Sequence, residues 1–184
     1  PYTVIGGGRI GTLLAAISGG HLIRRGDPID LRDGPIIICT RNDDLKGVLE
    51  QLPWLDQDKN RESGEHINRN ADLVFVQNGM LESFFAEYNL CVDYENSVTK
   101  ALLYFAVSTV GAEPVDGGRS VVTGPQAETF ANLLAHAGLA CTVVDSQQYQ
   151  LEMVEKYLWN CVFGLLCQHF DCTVGEVVQN HSKD

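Results

Sequence analysis

Tyr2-Thr3-Val4-Ile5-Gly6-Gly7-Gly8-Arg9-Ile10-Gly11 is the stretch whose reading decides the fold. A short β-prone run enters a glycine turn, and residues 12–18 continue with small and apolar helix formers. A bare G-x-G-x-x-G is a weak pattern, but directly after a strand and opening a helix it acquires a physical reading. Gly6 permits a tight turn, Gly8 lets backbone come close to a pyrophosphate, and Gly11 lets helix and strand pack closely. An anion there would meet free N–H groups and the positive end of the helix dipole. The plain alternative is a glycine turn that serves packing alone.

Working outward, residues 21–24 read as a second strand and 35–40 as a third, where Ile36, Ile37 and Ile38 suit burial on both faces. Asn42 or Asp43 can cap a helix running to about Leu52. Residues 53–70 read as a polar surface excursion anchored by Trp54 and Leu55. A strand at 73–76 leads into Gln77-Asn78-Gly79-Met80, followed by a helix over 81–88. Strands are expected at 101–109, 120–123 and 140–144, with helices at 126–137 and about 147–170. Strands alternating with helices imply an α/β, Rossmann-type, doubly wound and mostly parallel sheet. The two strands between 101 and 123, joined through a Gly- and Pro-bearing turn, imply an antiparallel edge. The expected organisation is a nucleotide-binding domain at 1–146 and a helical extension at 147–184.

Across 184 residues, 13 basic face 24 acidic side chains, a net charge of −11. Such a surface repels phosphate backbones and anionic headgroups, so neither nucleic acid nor membrane is expected as a partner. Cys39, Cys91, Cys141, Cys161, Cys167 and Cys172 show no CxxC or metal-ligand spacing. Most of them read as small core hydrophobes, no metal site is expected, and a reducing intracellular compartment fits, cytoplasmic or organellar. The chain starts at Pro1, which leaves a targeting segment ahead of it open.

The end of the second strand bears on cofactor choice. An acidic residue there would suit the ribose 2′-hydroxyl of NAD, whereas this chain presents Arg24-Arg25-Gly26. Arginine meets a 2′-phosphate with several donors and a permanent charge, which favours NADP(H). Asp27 and Asp30 follow, so NAD stays open, as does a solvated basic pair.

The last helix carries a second constellation, with Lys156 and Asn160 four apart on one face of an otherwise apolar run. A buried amide needs partners, so Asn160 is expected to face a pocket or a polar element. Apolar nearly all round, residues 151–170 are expected to need cover, either from their own sheet or from a homodimer contact. Lys156 could equally form an ordinary surface pair with Glu152.

With these motifs together, the chain resembles the ketopantoate reductase family, NADP-dependent enzymes that reduce a 2-keto acid. The resemblance spans about residues 2–165 and rests on GGGRIG, on the strand and QNGM run at 73–80, and on K-x-x-x-N at 156–160. It implies that Lys156 is a catalytic general acid toward a carbonyl oxygen and that Asn160 holds a small carbonyl substrate. It also implies that Asn78 borders cofactor and substrate. Gly6, Gly8, Arg9, Ile10, Gly11, Arg24, Arg25, Thr40 and Arg41 would line the NADPH site, Arg41 standing where the family often has a lysine. The chain departs from the pattern too. Gly11 and Arg24 are only 13 positions apart, and Gly164 replaces a further helix asparagine. Only the first helix of the family's all-helical second domain is expected here. A nucleotide-binding module without turnover, or a flavin protein, would use the same glycine turn.

Overall fold

The computed structural model describes residues 2–55, 68–90 and 97–181. Its elements are β1 (Thr3–Ile5), α1 (Arg9–Ser18), β2 (His21–Ile23), β3 (Ile36–Ile38), α2 (Asn42–Leu49), β4 (Leu73–Phe75) and α3 (Glu82–Glu87). Then come β5 (Thr99–Leu102), β6 (Phe105–Ala106), β7 (Val115–Asp116), β8 (Ser120–Thr123), α4 (Ala127–His136), β9 (Cys141–Val143), α5 (Ser146–Phe170) and α6 (Val174–His181).

One seven-stranded sheet runs in the order β2-β1-β3-β4-β5-β8-β9. The first five strands are mutually parallel, with Ile5 level with Ile23 on one side and Ile38 on the other. The strand order reverses at β1, so the chain leaves the sheet in opposite directions there. That is where open α/β sheets form a crevice beyond their carboxyl ends.

Alternation along the strands divides the core. Val4, Ile37, Val74, Ala101 and Val122 point toward α1 and α4 and pack with Leu14, Phe130 and Leu134. Ile5, Ile36, Ile38, Leu73 and Phe75 point the other way, onto Leu45, Leu49 and Phe85 of α2 and α3. A third cluster, Leu102, Val121, Tyr149 and Met153, fastens α5 beside that layer. These side chains are 0–9% exposed, so each excludes water from the strand it covers.

One sequence expectation changes here. The strand expected over 101–109 is broken after Leu102, because Tyr104 leaves the sheet: its N–H donates to Ser120 Oγ and its carbonyl accepts from Gly117. The chain then forms a separate two-stranded ribbon, β6 with β7. The antiparallel partner of β5 is β8, as expected, and β9 continues beyond it parallel to β8, so the antiparallel edge is two strands wide. Within the range 147–184, read from the sequence as a helical extension, a second helix, α6, follows α5, and Thr173 and Glu176 exchange hydrogen bonds at its start. Of the excursion at 53–70, residues 56–67 lie outside the described residues, as does Cys91. At its ends Trp54 Nε1 donates to Asn70 Oδ1, and the Arg69 guanidinium lies over the Trp54 ring. Cys39 and Cys141 pack against the core as expected of small hydrophobes, whereas Cys161 is exposed on α5.

Candidate functional site

The glycine turn is built as its sequence implies at two of three positions. Gly6 has φ +120°, and a Cβ there would stand 2.8 Å from the carbonyl atoms of Cys39. At Gly11 a Cβ would sit 1.8 Å from the Gly6 carbonyl oxygen, so α1 can lie against β1 only with glycine there. A Cβ on Gly8 would meet nothing within 4 Å. Gly8 thus faces open space, and it is the N-cap of α1 without a side-chain cap or an acidic residue in the first turn. An N-terminus left in that condition suits an anion.

That space is a cleft of about 940 Å³ along the carboxyl ends of β2, β1 and β3. Gly6, Gly8, Arg24, Arg25, Thr40 and Arg41 all line it. Two of its arginines are balanced by α2: Arg25 pairs with Asp44 at 2.5 Å and Arg41 with Asp43 at 3.3 Å. Both guanidinium groups are more than 80% exposed, so these pairs are weak and can exchange for a phosphate. Arg24 lies along Gly7, and its N–H donates to Asp27.

Other expected members lie elsewhere. Arg9 reaches away from the cleft lining, donating to the carbonyls of Val107 and Ser108 and so tying the glycine turn to the segment after β6. Ile10 packs against the core and Gly11 is buried beneath the turn. Asn78 is exposed, its carbonyl accepting from Asn42 Nδ2.

Lys156 lies two strands further along the same edge. Its Nζ donates to the Leu103 carbonyl, just past the end of β5, at 2.5 Å, and sits 4.4 Å from the Tyr104 ring centroid. It does not pair with Glu152 as an ordinary surface lysine would. Glu152 and Glu155 instead hold Arg119 at 3.2 and 2.9 Å. Burial disfavours the ammonium and pushes the Lys156 pKa down to about 8. Asn160, one turn on, is exposed, so among the described residues its amide meets no pocket. Leu151, Tyr157, Leu158, Trp159, Val162 and Leu165 are exposed as well, so beyond Tyr149 and Met153 the described residues leave most of this helix's apolar side chains uncovered.

Two polar atoms add to the edge. Among the described residues, the buried side-chain atoms without a hydrogen-bond partner are Thr40 Oγ1 and Gln77 Oε1. They stand just beyond β3 and β4, and Gln77 Nε2 joins the strands by donating to the carbonyls of Ile38 and Thr40. Sequence reasoning passed over Gln77 for Asn78. The signal was its place directly after an apolar strand, where one side chain turns inward and the next outward.

The strand order therefore sets the arginines at β2, the glycine turn at β1, Thr40 at β3, Gln77 at β4 and Lys156 at β5. Four strand spacings of about 4.8 Å make that row about 19 Å long. The fold is α/β of the Rossmann type, with the cleft at the carboxyl edge of its sheet. No family model matches the sequence, and no curated protein matches it. Among solved structures it is similar to a dimeric ketopantoate reductase from Staphylococcus aureus, at 16% identity and a TM-score of 0.62, over 98% of this chain and 72% of that one. It is also similar to a protein assigned as a ketopantoate reductase from Ralstonia solanacearum MolK2, at 14% identity and a TM-score of 0.66, over 98% and 70%. The chain has the ketopantoate reductase fold.

Proposed function

We propose that the chain is an NADP(H)-dependent oxidoreductase-like protein that reduces a small 2-keto acid or related carbonyl. The observation carrying this reading is the placement of a partly buried lysine, Lys156, on the same carboxyl edge as the glycine cleft. The residues fit the cofactor: Gly8 leaves room, α1 offers free N–H groups, and Thr40 Oγ1 is a buried polar atom still without a partner. Arg24 and Arg25 would take a 2′-phosphate. NADPH would supply the hydride; the protein contributes placement and charge. Reduction builds negative charge on the carbonyl oxygen, and the Lys156 ammonium would stabilise it and donate the proton. A lysine whose pKa lies near 8 gives up that proton more readily near neutral pH than an ordinary one.

The test is a titration of NADPH and NADH, followed by turnover assays across 2-keto acids and aldehydes. NADPH is expected to bind at least about tenfold more tightly, the value of a charge-assisted phosphate contact. Equal affinity for the two would sink the cofactor assignment. The exposure of Asn160 favours a second reading, a nucleotide-binding module without turnover. NADPH binding without oxidation by any carbonyl in the panel would select it.

We further propose that the exposed apolar face of α5 pairs with a second copy. The Staphylococcus aureus neighbour is a dimer. Trp159, Leu158 and Leu165 are each at least half exposed, and a patch of that kind on a water-facing helix marks an interface. A monomer in sedimentation at micromolar concentration would rule this out.

A further inference from the structure

The proposed role of Lys156 leaves open what keeps a long, flexible side chain at the end of β5. Tyr104 is built as a fixed post beside it. Its N–H donates to Ser120 Oγ at 2.8 Å, and its carbonyl accepts from Gly117 N–H at 2.7 Å. A Cβ on Gly117 would stand 2.2 Å from that carbonyl oxygen, so this approach needs glycine. The ring packs against the Leu102, Val121, Tyr149 and Met153 cluster. Two cations meet it: Lys156 Nζ at 4.4 Å from the centroid and Arg119 Cζ at 5.4 Å. Arg119 is in turn held by Glu152 and Glu155, which precede Lys156 on α5. The helix carrying the lysine is thus tied by its neighbours to the ring that the lysine rests on.

We propose that Tyr104 is the positioning residue for Lys156, its ring face holding the ammonium at the carboxyl end of β5. The role belongs to the ring and not to the hydroxyl, because a cation is drawn to the negative face of an aromatic ring and leucine has none. The importance of this for turnover rests on the reading of Lys156 above; the contact itself does not. Among the described residues, the charged and titratable groups around Lys156 are Tyr104 from the β5–β6 segment, Arg119 from the turn before β8, and Glu152 and Glu155 on α5.

The experiment is an NMR titration of the full chain labelled at lysine, following the Lys156 side-chain signal, assigned by its loss in Lys156→Gln. No cofactor or substrate is needed. Tyr104→Phe is expected to keep the wild-type midpoint. Tyr104→Leu fills the space without a π face, and its midpoint is expected to fall, a roughly threefold rise in the proton dissociation constant. If the leucine variant does not fold, Tyr104→Met carries the same expectation. A wild-type midpoint in the leucine or methionine variant would overturn the proposal, as would a phenylalanine variant that shifts as far as leucine. In turnover, Tyr104→Leu is expected to lower kcat with NADPH affinity unchanged, and Tyr104→Phe to restore it. Should the titration behave as expected while Lys156→Gln keeps full turnover, the positioning stands and the functional reading falls.

Discussion

The two ends of the carboxyl edge are built differently. At β1 and β2 the cleft is made of neighbours in sequence: Gly6 to Gly8, then Arg24 and Arg25, with backbone doing most of the shaping. At β5 the features around Lys156 come from Leu103, Tyr104, Arg119, Glu152 and Glu155, spread over two connecting segments and α5. The first end is a local device that tolerates little change in backbone. The second is an assembly of side chains that can be dismantled one at a time. Substitutions should therefore act on binding or folding at one end and on chemistry at the other.

The largest expected effect lies at the β5 end. Lys156→Ala should lower turnover by about 10²- to 10⁴-fold while NADPH affinity stays within twofold, the usual range for losing a positioned proton donor. Steady-state assays paired with calorimetry check this, and turnover within threefold of wild type would show the lysine to be surface decoration. With Lys156 protonated for its role, the rate should also fall as pH rises through about 8. A profile flat to pH 10 would remove it as the acid.

At the other end the glycines separate folding from binding. Gly11→Ala drives a methyl into the Gly6 carbonyl and should cost about 3 kcal/mol of stability, read in a denaturant melt. Gly8→Ala meets nothing in the protein, so its melt should match wild type while NADPH affinity drops. If both variants merely destabilise, the turn serves packing alone. The Arg24→Ala, Arg25→Ala pair should weaken NADPH by about ten- to a hundredfold and leave NADH unchanged. Smallest of all, Asp44→Asn releases Arg25 from its 2.5 Å pair and should raise NADPH affinity two- to threefold at low salt, the value of an exposed ion pair.

The same contrast explains what could be read from residues alone. The glycine turn, the parallel strands and the long helix α5 each depend on contiguous pattern, and all three appear within a few residues of the expected bounds. The break after Leu102 was not legible, because its cause is a hydrogen bond from Tyr104 to Ser120, sixteen positions away. Arg9 sits inside the motif, yet tertiary contact turns it to Val107 and Ser108, which no local pattern encodes. Asn160 was expected to be buried because its neighbours are apolar; those neighbours are themselves exposed, and composition does not say which face of a helix finds cover. Lys156 emerged from its spacing to Asn160, whereas its real surroundings, a carbonyl and an aromatic ring, come from β5 and the turn beyond it.

The central claim is that one dinucleotide lies along the edge from β2 to β5, joining the local device to the assembled one. A crystal structure with NADPH bound tests it most directly. The 2′-phosphate is expected against Arg24 and Arg25, the pyrophosphate over Gly8 at the start of α1, and the nicotinamide beyond β4 facing Lys156 Nζ. A nicotinamide directed away from β5, with Lys156 still resting on Leu103 and Tyr104 and out of its reach, would contradict the account.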